Sequence, residues 1–235
     1  MLEQMSFEFD ESQEFRLEQF VVQPENRMLM TSIQRMLAPQ ESLPGMVTGL
    51  MLVGPRGAGV THLLAGCCQE LMSQGRRALY LDLAHHDPAD FIEDEPLPDL
   101  MCLDHLERLR ERSRQIETDT FHLVNRVRAA GALLMFGCRE TPQNLKWMLP
   151  DLRTRLQWYP LFQVRPLDEE GKLDLLCGHA RLRGISLDEG NARYILKKGS
   201  RDVRELSAEL ALLDEAAMSS HRRITKPLIR HVLGR

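Results

Sequence analysis

The sequence predicts an α/β protein: a three-layer domain on a five-stranded parallel sheet with a phosphate-binding loop, followed by a small all-helical domain. Three observations carry this. Five short runs are apolar throughout rather than alternating, as parallel strands covered on both faces must be. Helix-period segments fall between them, the pattern of a layered βα sheet. Beyond Pro166 the strand-like runs cease and four helical patterns follow. With 235 residues, 43% of them hydrophobic, the chain is long enough to bury such a core.

Residues 1–19 are mostly polar and acidic, with Met5, Phe7 and Phe9 alternating among Gln4, Ser6 and Glu8, which reads as a short extended tail. Apolar spacing from Phe20 to Leu37 predicts a helix, and Pro39 to Pro44 a connector. The strands follow: 50–53, 78–81 ending at Asp82, 100–103 ending at Asp104, 132–136, and 161–164. Helices are expected at 61–74, 119–130 and 145–156. In the second part they are expected at 168–182, 188–197, 202–218 and 225–233, with Asp168, Asp188, Asp202 and Thr225 as capping candidates. The domain boundary falls near residue 165.

Composition excludes several classes. No apolar run approaches the roughly 20 residues that cross a bilayer, and the first residues carry neither a basic segment nor an apolar signal core, so a cytoplasmic protein without a membrane partner is expected. Cys67, Cys68, Cys102, Cys138 and Cys177 form no CxxC pair and read as small buried hydrophobes. The net charge of -4 conceals a gradient: 18 acids against 6 Lys/Arg in residues 1–107, and 16 against 24 thereafter.

The sharpest local feature is Gly54, Pro55, Arg56, Gly57, Ala58, Gly59, Val60 and Thr61, followed by His62, between a strand and a helix. The spacing is that of a phosphate loop in every place except Val60, where a lysine is usual. Glycines there let backbone N–H groups turn inward around phosphate oxygens, and the helix adds its N-terminal dipole. Without the lysine, diphosphate binding survives more easily than γ-phosphate transfer. Thr61 would offer a magnesium-facing hydroxyl or merely cap a helix. Arg56 either replaces part of the lost charge or points to solvent.

Asp104 ends an apolar strand at the edge where open parallel sheets bind ligands, and either holds magnesium or caps the strand end. His105 stands where an ATPase commonly keeps a second acid. His85 and His86, beside Asp87 and Asp90, match no strong metal spacing and read as a loop. Arg153 and Arg155 lie close to Trp158, and by residue type alone they form a solvated basic edge. Arg204 sits early in a helix of the second domain. The basic end, with Arg222, Arg223, Lys226, Arg230 and Arg235, lacks the aromatic interleaving of a nucleic-acid surface.

Together, Phe20-Val-Val22 with Asn26, the loop at 54–61, Asp104, the segment Leu149 to Trp158, Pro166-Leu-Asp-Glu-Glu170, Ala180-Arg-Leu-Arg-Gly184 and Arg204 resemble the AAA+ modules of DnaA-type bacterial replication initiators, and among them the Hda family of initiator homologues. The resemblance implies an AAA+ P-loop domain over 20–165, a helical lid domain over 166–235, and a flexible clamp-binding tail over 1–19. It implies a regulatory adaptor that joins a DNA-loaded polymerase sliding clamp and stimulates ATP hydrolysis by the initiator, preventing over-initiation. By that likeness Gln4, Met5, Phe7 and Phe9 are the clamp anchors, and Arg155 is an arginine finger acting in trans. Residues 54–62, Asp104 and Arg204 face the chain's own nucleotide, ADP or another nucleoside diphosphate, with magnesium, where present, on Thr61 and Asp104. Cys138 replaces the polar first-sensor residue, so independent ATPase activity is not expected. Self-association stays open. An autonomous AAA+ ATPase and an initiator-like nucleic-acid-binding protein are the competing readings.

Overall fold

A computed structural model describes residues 15–38, 48–93, 96–200, 202–219 and 223–234. The chain divides into two compact units. The first holds Pro24–Arg165 together with residues 15–17, and the second holds Pro166–Arg235 together with Glu18–Gln23.

In the first unit, helix α1 (Arg27–Leu37) precedes strand β1 (Gly49–Val53). Then come α2 (Val60–Ser73), β2 (Ala78–Asp82), β3 (Leu100–Asp104), α3 (Arg114–Ala129), β4 (Leu133–Cys138), α4 (Pro150–Leu156) and β5 (Leu161–Gln163). All strand pairs are parallel, in the order β2-β3-β4-β1-β5. Every residue of β1, β3 and β4 is buried, whereas the edge strands β2 and β5 are only partly covered. That is why the three interior runs are the most uniformly apolar in the sequence.

Alternate residues of each strand serve opposite faces. Met51, Val53, Met101, Leu103, Leu134 and Phe136 pack with Leu123, Val124 and Val127 of α3 and Leu152 and Leu156 of α4. On the other face Cys102 hydrogen-bonds the Leu64 carbonyl of α2 at 3.5 Å. All five cysteines are free; Cys67, Cys68, Cys102 and Cys138 are buried as expected, whereas Cys177 is only half-buried.

Some elements depart from expectation for identifiable reasons. The helix expected from Phe20 begins only at Arg27, after a 3-10 turn at Pro24–Asn26, because proline restricts Gln23 to extended backbone. The helix expected from Leu145 begins at Pro150, which occupies its first turn where a missing N–H costs nothing. Conversely, α3 starts earlier, at Ser113, whose hydroxyl accepts from the Ile116 N–H. Strand β4 runs on through Gly137 and Cys138, paired to Leu52 and Val53. Asn26, at the head of α1, donates from its amide to the Arg165 carbonyl (3.1 Å) and accepts from the Arg165 N–H (3.0 Å), pinning the chain just beyond β5.

The second unit contains α5 (Glu169–Leu182), α6 (Glu189–Lys198), α7 (Val203–Ser219) and α8 (Lys226–Leu233). Leu176, Ala180, Ile195, Leu206, Leu210, Leu213 and Ile229 form its core. Asp168 caps α5 by accepting from Gly171 N–H (2.7 Å), and Asp188 caps α6 by accepting from Asn191 N–H (2.8 Å). Asp202 accepts from Arg204 N–H at 2.9 Å, while Thr225 makes no side-chain cap. Among the described residues no helix is long and apolar enough to cross a membrane.

Candidate functional site

The glycine loop leaves β1 at its buried end. Gly54 donates its N–H to the Cys138 carbonyl (3.0 Å), and a Cβ on Gly54 would lie 2.9 Å from the Val164 carbonyl, so a side chain is excluded. The chain then turns through Gly57 (φ +81°) and Gly59 (φ +95°), left-handed conformations that disfavour other residues. Helix α2 starts at Val60, with its first N–H groups lacking carbonyl partners inside the helix. That end can receive phosphate oxygens. Val60 itself is buried and brings no charge. Arg56 is exposed on the turn.

Thr61 and Asp104, the two residues proposed for magnesium, come together. The Thr61 hydroxyl donates to Asp104 Oδ2 at 2.7 Å. Tyr80, from the neighbouring strand, donates to the same oxygen at 2.9 Å, and the His105 N–H donates to Asp104 Oδ1 at 2.7 Å. Burial and the Asp104 charge push the Tyr80 phenol far above its ordinary range. A hydroxyl beside a carboxylate is a hard oxygen set suited to magnesium that keeps water and phosphate in its remaining positions. Among the described residues no cluster of three or more His, Cys, Asp and Glu offers a richer metal site.

His105 takes a left-handed conformation (φ +58°), unusual for a side chain of its size. Its Nδ1 lies 2.9 Å from Asp82 Oδ1, and this hydrogen bond raises its pKa against the opposing effect of burial. Burial alone would raise the Asp82 carboxyl; hydrogen bonds from His105, the Ala84 N–H and His85 hold it well below the usual range instead. His85 and His86 are engaged with the Asp82 side chain and carbonyl, as a loop reading requires. His62 turns to residues 15–17, with Nε2 2.9 Å from the Arg16 carbonyl and its ring edge-on to Phe15. Cys138 is buried at the end of β4, where burial pushes its thiol up to about 12. It offers no polar sensor.

Arg155 belongs to a different cluster of the same unit. It lies in the last turn of α4, half-exposed, with Cζ 4.2 Å from the Trp158 ring centroid and 5.7 Å from that of Phe121. No carboxylate pairs with it among the described residues. Helix α4 is held by a residue that sequence reasoning missed. Glu117 of α3 is fully buried, and its carboxylate accepts from the N–H groups of Met148 (3.2 Å) and Leu149 (2.7 Å). Leu149 cannot cap α4, so the carboxylate of a distant residue does. Arg204 is exposed in the first turn of α7, in the second unit. Gln4, Met5, Phe7 and Phe9 lie outside the described residues.

Known proteins share this fold. Residues 169–233 match the family model of the Hda lid domain. The chain superposes on domain III of the Thermotoga maritima replication initiation protein DnaA with a TM-score of 0.78 and 19% identity, covering 94% of this chain and 95% of that one. AMPPCP-bound DnaA from Aquifex aeolicus gives 0.71 and 21% identity, over 87% of this chain and 66% of that longer one. The Thermotoga maritima RuvB Holliday junction branch migration motor gives 0.69 and 15%, over 94% and 72%. The fold is thus that of DnaA domain III, a five-stranded parallel sheet followed by a small helical region that matches the Hda lid domain.

Proposed function

We propose that the chain is an Hda-type regulator that acts on a DnaA-type initiator rather than a free-standing ATPase. The observation that supports this most is Arg155: a half-exposed guanidinium in the last turn of a helix, unneutralised by any carboxylate among the described residues and stacked on an indole. Such a group suits the triphosphate of a neighbouring subunit, where it stabilises charge that develops during hydrolysis. The chain's own pocket has Val60 for lysine, His105 for a second acid and Cys138 for a polar sensor. It retains the glycine loop and the Thr61–Asp104 pair, which fit ADP or another diphosphate with magnesium. Bound nucleotide then serves assembly. Magnesium, when bound, supplies charge neutralisation of the phosphates.

Gln4, Met5, Phe7 and Phe9 are the proposed anchors on a DNA-loaded sliding clamp, which would bring the regulator to the initiator. The test is ATP hydrolysis by ATP-loaded initiator, with and without the loaded clamp. Stimulation is expected only with the clamp, and Gln4→Ala should weaken clamp binding while the circular dichroism spectrum stays unchanged. Equal stimulation without clamp would contradict the adaptor role.

A further inference from the structure

Trp158 carries more than Arg155. Arg128, exposed in the last turn of α3, places its Cζ 4.6 Å from the same ring centroid, and Trp158 as a residue is 57% exposed. Like Arg155, Arg128 has no carboxylate partner among the described residues. Several other surface arginines, such as Arg108, Arg110, Arg112, Arg139 and Arg193, pair with Asp or Glu, and what sets Arg128 and Arg155 apart is that both lie over one ring. Helix dipoles favour cations at the ends of α3 and α4. They do not account for two guanidiniums gathered on one ring, where like charges repel.

Cation–π contact holds a guanidinium in place without neutralising it, and it leaves the planar N–H fork open to a second partner. Two guanidiniums already lie over the ring that a nucleobase would need. What this cluster offers a ligand is therefore charge and N–H donors rather than a stacking platform. An oligophosphate matches that.

We propose that Arg128 is a second phosphate-contacting residue, which acts beside Arg155 on the nucleotide triphosphate held by a neighbouring subunit, with Trp158 holding both guanidiniums. The proposal rests on the trans-acting reading of Arg155. Arg128 then shares the terminal phosphates with Arg155, and its loss is felt in the rate of hydrolysis and not in clamp binding.

The test compares wild type, Arg128→Ala, Arg128→Lys and Arg155→Ala in initiator ATP hydrolysis on loaded clamp. Arg128→Ala, an exposed change, should lower the maximal stimulated rate by about tenfold, as loss of one donor to transition-state charge does, with clamp binding unaltered and partial recovery in Arg128→Lys. If Arg155→Ala is inert while Arg128→Ala equals wild type, the proposal fails and the finger reading stands. If Arg155→Ala equals wild type, the reading beneath it fails. A second measurement needs no partner: tryptophan fluorescence of the full chain titrated with tripolyphosphate. A saturable change is expected in wild type and should be absent from Arg128→Ala and Trp158→Phe. No change in wild type, or a change with single-stranded oligonucleotide alone, would overturn the proposal.

Discussion

Asp104 shows what a single residue requires of its surroundings. Its carboxylate takes donors from Thr61, Tyr80 and the His105 backbone, and Gly137 supplies the room, since a Cβ there would fall on Asp104 Oδ1 and crowd Leu64. Gly137→Ala should therefore lower stability by roughly 1–3 kcal/mol, the usual effect of overpacking a filled site, read as a shifted urea midpoint at constant slope. An unchanged midpoint would mean that the carboxylate yields freely. Asp104 was legible as a carboxylate ending an apolar run. Tyr80 and Gly137 were not, because they reach it from adjacent strands, and nothing local to either residue states which strands are neighbours. The empty charge at Val60 was legible from spacing alone. Val60→Lys should tighten ATP binding by about tenfold through one charge-assisted contact, measured by equilibrium titration; unchanged affinity would remove the missing amine as the cause of a weak pocket.

Among elements, α4 was the hardest to read. Its apolar pattern extends back to Leu145, but Pro150 opens the helix and Glu117, far away in sequence, secures the turn before it. A buried acid in α3 looks like any helix glutamate until the partner N–H groups are known. Glu117→Ala would leave two backbone N–H groups without their acceptor and should cost about 2–3 kcal/mol in denaturant unfolding. A loss below a few tenths would show that water replaces the carboxylate. The segment 15–17 offers a pH-dependent counterpart. Leu17 packs where a Cβ on Gly66 would come within 3.0 Å, and His62 docks against Arg16 and Phe15. Burial lowers the His62 pKa, although its bond to the Arg16 carbonyl opposes this. A histidine held neutral stabilises docking above its unfolded pKa of about 6.5, and that stability is lost as pH falls through the folded value. Amide-exchange protection at residues 15–17, taken relative to the intrinsic rate at each pH, should fall on acidification, and in His62→Phe this fall should vanish; a loss of protection that survives the substitution would contradict the assignment.

At the scale of the molecule, the fold was visible because two kinds of order coincide: uniformly apolar runs between helical periods, and then an abrupt end to the runs at Pro166. The strand order β2-β3-β4-β1-β5 was not visible, since sequence adjacency does not reveal that β1 pairs between β4 and β5. Of the candidate site, the glycine loop and its missing lysine were legible because they are local in sequence. The pair of guanidiniums on Trp158 was not, because it is brought together from the ends of two helices. The central claim is that this chain supplies a guanidinium to another subunit's triphosphate while its own pocket turns over little. The measurement that bears on it most directly is single-turnover ATP hydrolysis by initiator on loaded clamp, comparing wild type with Arg155→Ala at equal occupancy of the complex. Removal of the guanidinium should slow hydrolysis by about 10³-fold with complex formation unaffected, and the isolated chain, wild type or variant, is expected to hydrolyse little ATP. Wild-type rates from the alanine variant, or brisk turnover by the isolated chain, would contradict the claim.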